Sequence, residues 1–396
     1  MKDKIQIITF WIGCIFLGGY FLRIFNFPNE LILVLGGTLC LVMFMQQKKI
    51  KIDIGACLLA VTLFSYYVII YGIRGMTFSI VYIPLVIYIM TKYLMYYVKN
   101  DDDKIRILIL TLIIGYSLHG MLNSGLYFMG YHVPKERRWM DIWTGEWMLG
   151  THHAVFFLPV FALCFPAVAY FKKRKWESTV VLLVSAFLLY TSLATRSRTP
   201  ILAFVIVVAV QLLIFLMIEK DKTKKLLSNR ITWYVFAGMI VLLIIGFLFV
   251  KDTPVISAFI ENLSDDGGIL GNARFAGQRL ALKQLFDYPM GGRNMDFGAL
   301  HNYCHNTWLD MANAAGLIPF FAFTAYTLYT MYNLILYLKD QTVLSETKLI
   351  ITGIYVAFFL FFTVEPAFDA SIHYLTPWLF TNTLIQEELH KEMWKK

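Results

Sequence analysis

The chain has 396 residues, 58% of them hydrophobic and only 15% charged. That balance excludes an ordinary soluble domain and indicates a polytopic membrane protein. The net charge of +9 is read as a mark of cytoplasmic loops, where lysine and arginine accumulate beside membrane spans, and not of a nucleic-acid partner.

A membrane span needs about 20 predominantly apolar residues. In chain order the sequence predicts helices near 5–22, 30–46, 54–72, 78–98, 107–126, 150–171, 178–195, 200–218, 231–250, 307–338, 348–364 and 374–387. The expected fold is all-α: one integral membrane unit, 1–396, of about twelve transmembrane helices. It carries one large extracytoplasmic loop, 251–306, containing short helices. The stretch 5–22 reads as a retained helix, not a cleaved signal. The stretch 307–338 exceeds one span and is expected to tilt or to extend past the bilayer.

Orientation follows from the basic residues. Lys48, Lys49 and Lys51 follow the second span, Lys172, Lys173, Arg174 and Lys175 the sixth, and Lys220, Lys222, Lys224, Lys225 and Arg230 the eighth. In a twelve-span chain these groups share one side with both termini, which the positive-inside rule makes cytoplasmic. The expected protein is therefore multi-pass, with both termini cytoplasmic. Arginine partitions the other way: Arg23, Arg74, Arg137, Arg138, Arg196, Arg198, Arg274, Arg279 and Arg293 fall outside or at the outer boundary. A planar, permanently charged guanidinium suits a phosphate or carboxylate. Contact with lipid headgroups is the plainer alternative.

Two outer segments are long. In 128–149, Trp139, Trp143 and Trp147 read as an interfacial aromatic belt. In 251–306, a turn at Asp265-Asp266-Gly267-Gly268 precedes a short helix over 277–288, which Pro289-Met290-Gly291-Gly292 ends. Arg279 and Lys283 share one face of that helix and Leu282, Leu285 and Phe286 another, the pattern of a helix lying in the membrane interface. Asp101-Asp102-Asp103 sits beside Lys104 and reads as a solvated turn. Of five cysteines, Cys304 stands alone in an outer loop, with no disulfide partner in view.

Three constellations carry chemistry. In Thr195-Arg196-Ser197-Arg198-Thr199-Pro200, Thr199 and Pro200 suit a helix start. The positive end of that helix and two arginines then form an anion site; a tight turn with snorkelling arginines is the alternative. Arg274 and Arg279 precede Pro289 and the glycine pair, and Arg293 follows it. His301 and His305 stand four residues apart, on one face if helical. A zinc-protease helix would need Glu where Asn302 stands, and no third ligand is in view, so no metal is assigned. A histidine at the outer end of a span can instead act as a general base.

Together these stretches resemble the O-antigen polymerase and O-antigen ligase superfamily of bacterial envelope enzymes. Ser197-Arg198 matches its S-R pair at the outer start of a helix. Arg274, Pro289, Gly291 and Gly292 match an R-x14-P segment ending in a glycine turn. His305, Asn306, Trp308, Leu309, Gly316 and Leu317 match an H-N motif opening a helix. The likeness covers about 150–340 best. Many relatives have Trp where Gln278 stands, and the second H-N pair, His301-Asn302, competes with His305-Asn306.

The resemblance implies a metal-independent glycosyltransferase that needs no cofactor and uses an undecaprenyl-diphosphate-linked glycan as donor and another as acceptor. Arg198 and Arg274 would hold the diphosphate with His305 as catalytic base; Arg279, Arg293, Arg196, His301 and Asn306 would bind substrate. Membrane lipid, flippase and chain-length regulator proteins are the partners it implies. Abundant Lys, Ile, Tyr and Phe favour a polymerase of capsular or exopolysaccharide repeat units over a ligase. A flippase for the same lipid-linked glycans is the rival from another class, and would carry its charges inside the bundle. A structural or sensing membrane protein is a third.

Overall fold

The computed structural model describes residues 2–24, 29–48, 52–75, 77–98, 101–133, 138–195, 197–219, 273–298 and 303–390. The expected span 231–250, the parts 251–272 and 299–302 of the expected loop, and Arg137 and Arg196 lie outside the described residues; His301 and Asn302 fall in the second of these parts. The described structure is mostly helical, with eight helices long and apolar enough to cross a membrane.

The first five helices are α1 (Lys2–Leu22), α2 (Asn29–Gln47, with a π-helical stretch Ile32–Gly36), α3 (Ile54–Arg74), α4 (Ser79–Val98) and α5 (Asp102–Phe128). Their ends are chemically specified. Asp53 caps α3 by accepting from the Ala56 N–H at 2.7 Å, and Gly75 at φ 63° closes it. The acidic run is a helix start: Asp101 accepts from the Lys104 N–H, and Asp102 and Asp103 fill the first turn. Carboxylates there offset the positive end of the helix dipole, a more specific role than the solvated turn expected.

A small antiparallel sheet follows, so the structure is not purely helical: β1 (His132–Val133), β2 (Arg138–Met140) and β3 (Trp147–Leu149), with His132 opposite Trp139 and Trp139 opposite Met148. It places Trp139 inward, buried, instead of in the expected belt. Asp141 anchors the connecting turn, accepting from the N–H groups of Trp143 and Thr144.

The expected span 150–171 is divided. A short helix, α6 (Gly150–Ala154), leads through a single 3-10 turn into α7 (Leu158–Ala169). Next come α8 (Lys175–Ala194), α9 (Arg198–Ile218) and, after the undescribed stretch, α10 (Ala273–Lys283). The expected long helix 307–338 is two helices, α11 (Thr307–Ala315) and α12 (Leu317–Lys339), broken at Gly316. Nine residues of α11 rise about 14 Å at 1.5 Å each, too little to cross a membrane. Then come α13 (Ser345–Val364), a single turn Ala367–Ala370, and α14 (Thr376–Leu389).

Helix α14 is buried on nearly every side and forms the axis of the core. Its Trp378 is packed by Phe323, Tyr326, Tyr355 and Phe362 at ring separations of 5.5–6.0 Å. Towards its C-terminus lies a buried charged group. Lys92 of α4 pairs with Asp53 and, at 3.4 Å, with Glu387, while the Tyr88 hydroxyl donates to Asp53 at 3.0 Å. Charges taken from water persist only when paired in this way.

Candidate functional site

The site begins with a backbone joint. Gly316 adopts φ 81°, ψ −166°, a region essentially restricted to glycine. The carbonyls at the end of α11, left without helical partners, are taken up by the glycine turn. Gly292 N–H donates to Ala314 O at 3.1 Å and Arg293 N–H to Asn313 O at 2.7 Å. In return Leu317 N–H donates to Pro289 O at 2.9 Å. The Pro-Met-Gly-Gly turn and the Gly316-Leu317 pair, separate motifs in the sequence, are thus one interlocked scaffold. It fixes α10, which leads into the turn, against α11.

The start of α11 is equally specified. The Asn306 side chain accepts from the Leu309 N–H at 3.1 Å. Asp310 reaches back to the N–H groups of Cys304 at 2.8 Å and Asn306 at 2.9 Å, the reciprocal logic of a capping box. His305 precedes this cap at φ 55°. Residues 303–306 are therefore not helical. Burial, with the Asp310 carboxylate next in weight, pushes the Cys304 thiol up, so it is a packing group and not a reactive one.

Around this scaffold, charged side chains meet at Glu365, a residue that sequence analysis did not single out. Only 1% of its side chain is exposed. Arg274 Nη1 donates to Glu365 Oε1 at 2.9 Å and to Val364 O at 3.1 Å. His305 Nδ1 lies 3.5 Å from Glu365 Oε2, and His152 Nε2 lies 4.0 Å from the same oxygen. Thr307 Oγ1 donates to Glu365 O at 2.7 Å and accepts from the Ala367 N–H at 3.1 Å, which locks the segment after α13 onto the start of α11. Burial, the largest influence, opposes ionisation of Glu365. The His305 contact and the charges of Arg274 and both imidazoles outweigh it and hold the carboxyl below its usual range. Burial likewise lowers His152 and favours its neutral form, against the pull of Glu365.

Gln278, the departure from the family pattern, is the clamp between these pieces. Its amide donates to His305 O at 3.1 Å and Thr363 O at 2.9 Å. Helix α10 thereby presents one edge, Arg274 and Gln278, to the site. Gly277, Ala281 and Leu285 are buried beneath it, while Arg279, Leu282, Lys283 and Phe286 are exposed together. Leu285 thus separates from Leu282 and Phe286, which share the exposed face with the cations.

The expected site residues divide accordingly. Arg274 and His305 converge. Arg198 opens α9, and its neighbour Ser197 donates to Gly150 O at 3.3 Å, two residues before His152. Arg293, at φ 61°, lies over the Tyr303 ring at 5.6 Å. Arg279 is exposed on α10, and the Asn306 amide is engaged as a cap. Arg196 and His301 lie outside the described residues.

Behind His152 the wall is itself polar. His119 meets Leu22 O at 3.0 Å through Nδ1 and Asp141 Oδ2 at 2.8 Å through Nε2. Both are acceptors, so a neutral imidazole can donate to only one of them at a time. His153 packs edge-on to Trp139 at 4.2 Å. Asp141 is buried in this wall, while Gly145, Glu146 and Trp147 farther along the turn stay exposed.

No protein-family model matches the chain, and no curated protein matches it either.

Proposed function

We propose that this chain is a membrane glycosyltransferase that polymerises undecaprenyl-diphosphate-linked repeat units at the outer face of the cytoplasmic membrane. The observation that carries this reading is the meeting of Arg274 and His305 on one buried carboxylate, 31 residues apart in sequence. A fixed guanidinium for leaving-group charge and an imidazole for a hydroxyl proton are the two groups that transfer from a lipid diphosphate requires. In the reaction, the acceptor hydroxyl oxygen bonds to the anomeric carbon and gives its proton to His305. The bond from that carbon to the diphosphate oxygen breaks, and its electron pair leaves with the lipid diphosphate. The resemblance to O-antigen polymerases and ligases supports the substrate class, and the lysine partition supports the orientation.

The test is transfer by purified protein, with the lipid-linked repeat unit extracted from cells lacking this chain. Arg274→Ala and His305→Ala are expected to abolish polymer formation at undiminished protein level; polymer from both variants would reject the reading. Orientation is tested by a cysteine at Ser264 in a chain lacking Cys304, which should react with an impermeant thiol reagent in intact cells.

A ligase that transfers the glycan to an envelope acceptor would use the same groups. One observation favours a transporter instead: Lys92, Asp53 and Glu387 place charge inside the bundle. Cells lacking the chain separate the readings. Single repeat units held on the outer face indicate lost polymerisation, and units held on the inner face indicate lost transport.

A further inference from the structure

We infer that Glu365 is the positioning residue of the site, setting which nitrogen of His305 is free to act as base. The inference rests on the transferase reading and adds to it a residue that neither composition nor motif pointed to.

An ionised carboxylate only accepts. Its Oε1 is engaged by Arg274, which only donates, so Oε2 is left to the imidazoles. His305 turns Nδ1 towards Oε2, so in the neutral ring the N–H sits on Nδ1 and the lone pair on Nε2. The 3.5 Å separation is ion-pair distance and not a formed hydrogen bond; such contacts commonly tighten when substrate binds.

When Nε2 takes the acceptor's proton, the ring becomes an imidazolium and Nδ1–H faces the fixed negative charge of a carboxylate that is itself almost closed to water. The proton stays on His305 through the step, and Glu365 is not protonated. The carboxylate stabilises the charge that develops and holds the ring's orientation, as the carboxylate of a catalytic triad does. The Thr307 and Gln278 bonds fix the backbone on both sides of the pair, so its geometry is built in before substrate arrives. His152 approaches the same oxygen from α6 at 4.0 Å. His305, at 3.5 Å against 4.0 Å for His152, is the nearer ring and the one this oxygen orients.

Glu365→Gln is the decisive variant because it is isosteric. Arg274 forces the new amide's oxygen towards itself, so the NH₂ group faces the imidazoles. That group donates to Nδ1, moves the ring's proton to Nε2 and removes the base. The expected result is a kcat loss of about 10²–10⁴-fold, with KM for the extracted lipid-linked repeat unit changed less than about threefold. Glu365→Asp, which keeps the charge, is expected to recover part of kcat. E365Q combined with H305A should be no slower than H305A alone, because residues acting as one unit are not additive.

Wild-type kcat in E365Q beside inactive R274A and H305A would overturn the positioning role and leave the transferase reading standing. An E365Q loss that multiplies with that of H305A would also overturn it, since Glu365 would then act elsewhere. Full activity of R274A and H305A would sink both. If E365Q does not accumulate as monodisperse protein, E365D carries the test: its kcat must fall in the wild-type background and not in H305A.

Discussion

Gly291 and Gly316 face each other so closely that neither position has room for a side chain. A Cβ built on Gly291 would lie 2.5 Å from Gly316 N, and one on Gly316 would run into Pro289 O and Met290. These contacts are backbone to backbone, so no side-chain rotation relieves them. Gly316→Ala adds unfavourable φ to this clash, and the backbone strain alone is on the order of 1–3 kcal/mol. The expected outcome is a lowered thermal midpoint in detergent and reduced accumulation, with Gly292→Ala milder because its nearest non-neighbour contact is a side chain, Asn294.

Arg274→Lys keeps charge but not shape. One nitrogen of Arg274 serves both Glu365 Oε1 and Val364 O, and a lysine cannot keep these while holding a second edge for a diphosphate. Transfer should fall by an amount equivalent to about 1.5–3 kcal/mol per lost charged bond, measured as kcat/KM at equal protein concentration. Wild-type kcat/KM in R274K would reject the argument from the planar fork.

His152→Ala is predicted to be milder than His305→Ala. His152 lies farther from Glu365 Oε2, and burial favours its neutral form. A loss below about tenfold in kcat is expected for H152A, against about 10²–10⁴-fold for H305A. A dead H152A with an active H305A would exchange their roles.

Stability should fall on acidification, with His373, His152, Asp141 and Glu365 contributing in the same direction. His373 is pushed down to about 3 by burial first and then by the Arg23 charge. A histidine depressed in the folded state favours folding above its unfolded value of 6.5, and that stability is lost progressively below it. Asp141 is held low by His119 and Arg23 against burial, and Glu365 by its cationic neighbours against burial. Their stabilisation is present above the unfolded values of 3.8 and 4.5 and is lost as pH falls towards the folded ones. The thermal midpoint in detergent should therefore decline below pH 6.5 and more steeply below pH 4.5. His373→Gln should lessen the first decline, leaving the share that His152 contributes, and leave the second. An unchanged midpoint between pH 7 and 4 would contradict this.

Sequence alone determined that this is a helical membrane protein, because span length and hydrophobic content are local properties readable in a window of about 20 residues. It also singled out Arg274 and His305, since a charged or titratable group in so apolar a chain is conspicuous by type. Tertiary structure decided the rest. Glu365 follows the end of a span and carries no local signal; its partners come from α6, α10 and the approach to α11, so only packing reveals it. The break in 307–338 was hidden because one glycine inside an apolar run does not announce positive φ. That conformation is held by the Pro289–Gly292 turn, 24 or more positions earlier in the chain. The same long-range pairing turned two motifs that read as chemistry into a scaffold, and left the chemistry to the side chains that the scaffold brings together.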